Sequence, residues 1–241
     1  MPREAKKAKQ DRALSVAERM DELYPAAACL LDFKTPFSLV IAVLLSAQTT
    51  DAAVNRVTPE LFRRWPDPIS LAGATQSEVA SVIRRTGFYQ VKAKHCIQTA
   101  QMLVSDFAGE VPSTMAELTR LPGVGRKTAN IVLTQAFGIV EGIAVDTHVF
   151  RIAHCLRFAP ASADTPAKVE QALLGLLPKQ LWGSINHRWV QFGREFCIAR
   201  KPRCMVCPLA DLCPSAPNQK QANSKPTQSS PLADLSPSAV K

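Results

Sequence analysis

Leu121-Pro122-Gly123-Val124-Gly125-Arg126-Lys127-Thr128-Ala129 is the stretch that decides how the chain folds. Before it, Leu118 and Leu121 run at helical spacing into the break. After it, Ala129, Val132, Leu133 and Ala136 recur as one apolar helix face does. Pro122-Gly123 stops the first helix, and Thr114 with Glu117 behind it offers a capping box for its start. The pattern predicts a helix-hairpin-helix. Gly123 and Gly125 can take positive φ, so that backbone amides and the N-terminus of the second helix can converge on one phosphate oxygen without a Cβ in the way. A bare Gly-x-Gly is also an ordinary glycine-capped turn between helices. Pro122 before it and Arg126-Lys127 after it favour the phosphate cradle, a contact that fixes register and ignores base sequence.

Outward from the hairpin the same periodicity continues, as at Val149, Ile152, Ala153 and Leu156. Sustained alternation of apolar and polar residues is missing, and the breaks are Pro or Gly, as at Pro66-Asp67-Pro68 and Gly138 to Gly142. An all-α fold with short loops is therefore expected. Leu39 to Leu45 is apolar all round, which suits a buried central helix, with a buried strand as the alternative that periodicity leaves open. Its polar end, Ser46-Ala47-Gln48, is expected at a surface. From Pro214 onward Ser, Pro, Gln, Ala and Lys dominate, a composition that buries too little area to offset ordering entropy and predicts a disordered tail.

The 241 residues, 46% of them hydrophobic, suffice for one globular body or two small domains. A net charge of +9 favours a polyanionic partner, although a positive surplus also serves solubility. Met1 to Arg12 is charged and lacks the apolar core of a signal peptide, and Leu39 to Leu45 is too short to cross a bilayer. The expectation is a cytoplasmic protein with no targeting signal and no membrane contact.

Four of the seven cysteines, Cys197, Cys204, Cys207 and Cys213, form C-x6-C-x2-C-x5-C, while Cys29, Cys96 and Cys155 are scattered and read as small buried hydrophobes. This is unlike a disulfide framework and suits a metal site in a reducing compartment. The spacing matches neither the paired C-x2-C knuckles of a zinc ribbon nor the ferredoxin run, and leaves zinc and a [4Fe–4S] cluster both open. Arg194, Arg200, Lys201 and Arg203 surround it, making a basic loop suited to phosphates, or a structural staple with incidental charge.

Taken together, LPGVGRKTAN (Leu121 to Asn130), AVDTHVFR (Ala144 to Arg151), LLSAQTTD (Leu44 to Asp51) and the cysteine spacing resemble the endonuclease III family of DNA glycosylases and AP lyases, across about residues 12 to 214. The resemblance implies a helix-hairpin-helix glycosylase fold. A six-helix domain would span residues 29–139, an iron–sulfur domain would join 1–28 to 140–216, and a disordered tail would follow over 217–241. It implies Lys127 and Asp146 as the catalytic pair and Cys197, Cys204, Cys207 and Cys213 as ligands of a mainly structural [4Fe–4S] cluster. Gln48 and Phe88 would enter the gap left by a flipped nucleotide. Gly123, Gly125, Arg126, His148, Arg200 and Lys201 would contact DNA, while His95, His154 and His187 receive no role. The implied partner is double-stranded DNA carrying damaged bases or abasic sites, bound by a monomer associated with the nucleoid.

Two features depart from the family pattern. Phe88 stands where familiar members carry Leu, and the loop Ile139 to Gly142 is one residue longer.

The chemistry explains the residue types. Expelling a base from deoxyribose needs activated water or an amine that forms a Schiff base. Lys127 supplies the amine, and it must shed its proton, which a positive helix N-terminus, Arg126 and partial burial all favour. Its plainer role is a phosphate contact. Asp146 precedes a helix and suits an N-cap, yet as a carboxylate facing Lys127 it can also take the ammonium proton and stabilise a cationic sugar. An adenine-excising relative of the same fold lacks a lysine at the position of Lys127 and carries an extra recognition domain. A purely DNA-binding module would use Lys127 as one more phosphate contact.

Overall fold

The computed structural model describes residues 4–217. The tail expected from residue 217 onward lies outside the described residues but for Pro217. Within them the chain forms twelve α-helices and one 3-10 turn, with no strand. The all-α expectation holds.

Between residues 29 and 139, eight helical segments follow one another: α2 (Pro36–Leu45), α3 (Asp51–Asn55), α4 (Thr58–Arg64), α5 (Pro68–Ala72), α6 (Gln76–Val82), α7 (Tyr89–Asp106), α8 (Met115–Leu118) and α9 (Arg126–Phe137). The run that left helix and strand open is α2, buried on every side from Phe37 to Leu45. Thr35 and Ser38 close a reciprocal capping box at its start with Pro36 in the first turn, so local chemistry and core burial agree on a helix. α2 packs against α7 and α9 at the centre of one hydrophobic cluster, and delivers Ser46 to Gln48 to the surface as expected.

A second cluster gathers α1 (Lys6–Leu23), α10 (Thr147–Cys155), α11 (Pro166–Leu174) and α12 (Lys179–Glu195). α1 buries Ala13, Val16, Ala17 and Met20 along one stripe, against α12. Trp189 of α12 and Phe158 pack at 6.4 Å between ring centroids in this core. The chain crosses from the first cluster to the second after α9, where Gly138 takes φ 66° and lets the amides of Gly138 and Ile139 both reach the Leu133 carbonyl. The longer loop that follows ends with Asp146 in place as the cap of α10.

The first hairpin helix is shorter than its periodicity suggests. α8 has four residues, capped by Thr114, whose hydroxyl accepts from the Glu117 amide and bonds the Glu117 carboxylate at 2.7 Å. Glu117 therefore meets the Thr114 side chain rather than its backbone amide, and half of the expected capping box is made.

Candidate active site and cysteine loop

The hairpin between α8 and α9 uses its two glycines differently. Gly123 takes φ 78°, and a Cβ there would lie 2.8 Å from His95 Nδ1 and 3.0 Å from Leu44 Cδ2. Only glycine fits. Gly125 makes no use of the positive φ open to it: its φ is −92° and it is the extended N-cap of α9. A Cβ at Gly125 would meet nothing within 4 Å, so glycine here leaves open space over the helix N-terminus. The Thr99 hydroxyl fixes the turn by donating to the Pro122 carbonyl at 3.0 Å. His95, to which the sequence assigned nothing, is the floor beneath Gly123.

Lys127 sits in the first turn of α9, and Asp146 caps α10 from the second cluster. Both line one cleft of about 450 Å³, whose walls also include the segment Ser46 to Thr49 and residues of α12. Asp146 Oδ1 accepts the His148 and Val149 amides at 2.9 and 2.8 Å. Oδ2 carries no hydrogen bond among the described residues and is left for the cleft. Capping thus occupies one oxygen of the carboxylate and leaves the other without a partner among the described residues.

Two expectations about the surroundings of Lys127 are corrected. Its side chain is exposed rather than partly buried. Arg126 is not a bare positive neighbour: its Nε donates to Glu170 Oε2 at 2.6 Å and its Nη2 to Oε1 at 3.1 Å. Glu170, on α11 and 3% exposed, also accepts from Asn130 Nδ2 at 3.0 Å and the Ile143 amide at 3.2 Å. One buried carboxylate therefore ties the start of the lysine helix to the strand of chain that leads to Asp146. A Cβ at Gly142 would lie 2.2 Å from Glu170 Oε1, so the junction closes only over glycine.

His148 lines the cleft, with Nδ1 3.1 Å from Arg151 Nη2 and its ring seated where a side chain on Gly193 would collide. Burial holds its pKa below the usual histidine value. His187, without a role in the sequence reading, enters the same cleft, and burial lowers its pKa as well. Asp51 joins them, its carboxylate 3.6 Å from the Arg194 guanidinium. The available signal was the spacing of His187, Val190, Gln191 and Arg194, which marks one face of α12.

Gln48 and Phe88 share an unusual backbone: both have φ 52° in the left-handed region. For residues with a Cβ this costs roughly 1–2 kcal/mol each. Phe88 is 67% exposed, so it is no core aromatic, whereas Tyr89 packs partly into the first cluster. Gln48 lines the cleft and Phe88 stands beyond its lining.

The four clustered cysteines line a separate apolar cavity of about 110 Å³ together with Phe192, Phe196 and Leu209. Among the described residues no three metal-ligating side chains converge to bonding geometry. The shared cavity, which gathers four thiols from one short loop, is the observation that fits a cluster. Cys155 corrects its own reading: it lines this cavity too, its carbonyl accepts the Cys213 thiol at 3.6 Å, and hydrogen bonding to Cys197 raises its pKa while lowering that of Cys197. Cys96 is buried as expected, and Cys29 is half-buried at the wall of the cleft that Lys127 and Asp146 line. Arg200, Lys201 and Arg203 are exposed beside the loop.

Comparison with known proteins defines the class first. Residues 41–179 match the HhH-GPD superfamily base excision DNA repair protein, and residues 197–213, the span from Cys197 to Cys213, match the iron–sulfur binding domain of endonuclease III. A thermostable thymine-DNA glycosylase shares the fold at TM-score 0.76 with 23% identity, covering 88% of this chain and 99% of its own. Within that class the chain belongs to the endonuclease III family and carries its [4Fe–4S] cluster domain. It is 46% identical to endonuclease III of Synechocystis sp. over 86% of this chain and 94% of the relative. It is 42% identical to that of Escherichia coli K12 over 84% and 94%. The solved structure of a trapped endonuclease III–DNA covalent intermediate superposes at TM-score 0.81 with 41% identity, covering 88% of this chain and 98% of that one.

Proposed function

We propose that the chain is a bifunctional DNA glycosylase and AP lyase of base excision repair that releases oxidised pyrimidines and nicks the strand 3′ to the abasic site. The observation that carries this reading is the meeting of Lys127 and Asp146, from two different hydrophobic clusters, in one cleft. Asp146, through the oxygen not spent on capping, takes the ammonium proton. The neutral amine attacks C1′, and the base departs with the electron pair of its C1′–N bond and is protonated. Ring opening gives a Schiff base on Lys127. Loss of the C2′ proton then expels the 3′-phosphate with the C3′–O electrons and leaves a nicked strand.

The reacting nucleotide must first leave the duplex, at a cost of a few kcal/mol that is least for damaged or poorly stacked bases. Gln48 and Phe88 fill the vacated space. Backbone amides at Gly123 and Gly125, the free Nη1 of Arg126, His148, Arg200 and Lys201 hold the sugar-phosphate backbone. The [4Fe–4S] cluster on Cys197, Cys204, Cys207 and Cys213 fixes the shape of the basic loop. The division into a 29–139 domain and a discontinuous 1–28/140–216 domain is supported by the two separate clusters, with DNA across their junction. The chain acts as a monomer in the cytoplasm, on nucleoid DNA. No described helix is long and apolar enough to cross a membrane.

Lys127→Ala is expected to abolish strand cleavage of a duplex with one oxidised pyrimidine while duplex binding persists. Equal loss of binding and cleavage would instead make Lys127 a phosphate contact in a binding module.

A further inference from the structure

Lys92, on α7, is 5% exposed, and among the described residues no carboxylate pairs with it. A buried ammonium without a counter-charge is expensive, and here burial pulls its pKa below the ordinary lysine value. Its two hydrogen bonds run in different directions. Nζ donates to Thr49 Oγ1 at 2.7 Å and to the Thr86 carbonyl at 3.0 Å.

Those two acceptors lie beside two of the left-handed residues, Gln48 and Phe88. Thr49 follows Gln48, and its hydroxyl donates onward to the Ala47 carbonyl at 3.3 Å, closing a ring around Gln48. Thr86 precedes Gly87-Phe88, is fully buried, and is itself pinned by its hydroxyl to the Ile83 carbonyl at 2.8 Å. The Lys92 amide also bonds the Phe88 carbonyl at 3.1 Å. A strained conformation persists only where its surroundings over-determine it, and one ammonium supplies that restraint to both loops at once.

We infer that Lys92 is a positioning residue that latches the Gln48 loop to the Phe88 loop, holding both in the register in which they enter the DNA together. The inference rests on the reading of Gln48 and Phe88 as gap fillers. The ammonium touches neither DNA nor the reacting atoms. It substitutes for a covalent tie between segments 43 residues apart in sequence, from Thr49 to Lys92. Both hydrogen bonds are charge-assisted, and the one to Thr86 is buried, which makes them stronger than the neutral contacts available to a surface loop.

The test is the ratio of affinities for a duplex holding a tetrahydrofuran abasic analogue and for the same duplex undamaged, measured with the full chain carrying its cluster. Lys92→Met keeps the apolar stem and removes both bonds. Thr49→Val removes one with little change in shape, and it decides the matter should Lys92→Met fail to fold. Both variants are expected to retain cluster absorbance, melting temperature within a few degrees and affinity for undamaged DNA. The ratio should fall about tenfold in Lys92→Met and about threefold in Thr49→Val, from the loss of two and one charge-assisted bonds. Phe88→Ala and Gln48→Ala separate the two claims. A reduced ratio in them beside a wild-type ratio in Lys92→Met and Thr49→Val overturns the latch alone. A wild-type ratio in Phe88→Ala and Gln48→Ala overturns the gap-filling reading, and the latch with it.

Discussion

The hairpin that starts α9 and the cysteine loop both carry exposed positive charge, yet they are held in opposite ways. The hairpin is built by the chain itself: Leu121 and Val124 are buried, Gly123 is wedged over His95 and Leu44, and Arg126 is bonded to a buried carboxylate. The cysteine loop has little regular structure beyond a three-residue 3-10 turn at Cys204–Val206. Arginines from elsewhere rein it in: Arg151 to the Cys197 carbonyl at 2.6 Å, Arg19 to Pro208 at 2.8 Å and Arg12 to Leu212 at 3.1 Å. Of the loop's side chains only Leu209 is buried. A site held by its own packing and a loop tethered at its edges depend on a bound group to very different degrees.

Removing one ligand should expose that difference most strongly. Cys207→Ser is expected to give a protein without the brown colour of a thiolate-ligated cluster and less stable by ~3 kcal/mol or more. The loss should fall on the second cluster, read as amide exchange rising across 197–213 and the facing turns of α1 and α10, while α2 and α9 stay protected. Equal loss of protection in both regions would mean that the hairpin also depends on the cluster. Breaking the other side comes next in size. Glu170→Ala leaves Asn130 Nδ2 and the Ile143 amide without their partner and should cost about 2–3 kcal/mol. Visible absorbance should be unchanged and the rate of strand cleavage reduced; an unaltered rate would show that the Lys127 helix keeps its aim without Glu170. The smallest effect is expected from Lys201→Ala. It should weaken binding to all sequences alike and lower the salt slope of binding by about one phosphate. An unchanged slope would mean that Lys201 faces solvent away from the DNA.

What could be read in the sequence was what lies close together along it. The hairpin, the capping aspartate, the four cysteines and the all-helical class each come from a short contiguous pattern, and the structure bears out the helices and the Asp146 cap. The rest comes from residues brought together over long separations. Glu170 reads as an ordinary polar position of α11, yet it captures Arg126 from 44 residues away. Cys155 reads as a small hydrophobe, but α10 delivers it to the cysteine cavity. Lys92 and His187 lie on helices whose polar positions carry no local mark of burial, and only packing turns one toward two loops and the other into the cleft. The two hairpin glycines look alike in the motif, while only Gly123 takes a positive φ and has no room for a side chain.

That Lys127 forms the covalent bond is tested most directly by trapping. Purified protein is mixed with a duplex bearing a single oxidised pyrimidine, borohydride is added, and a denaturing gel is read for protein–DNA adduct, with Lys127→Gln beside the wild type. An adduct from wild type alone is the predicted result. No adduct from wild type on this duplex or on one carrying an abasic site, or an equal adduct from Lys127→Gln, would contradict it.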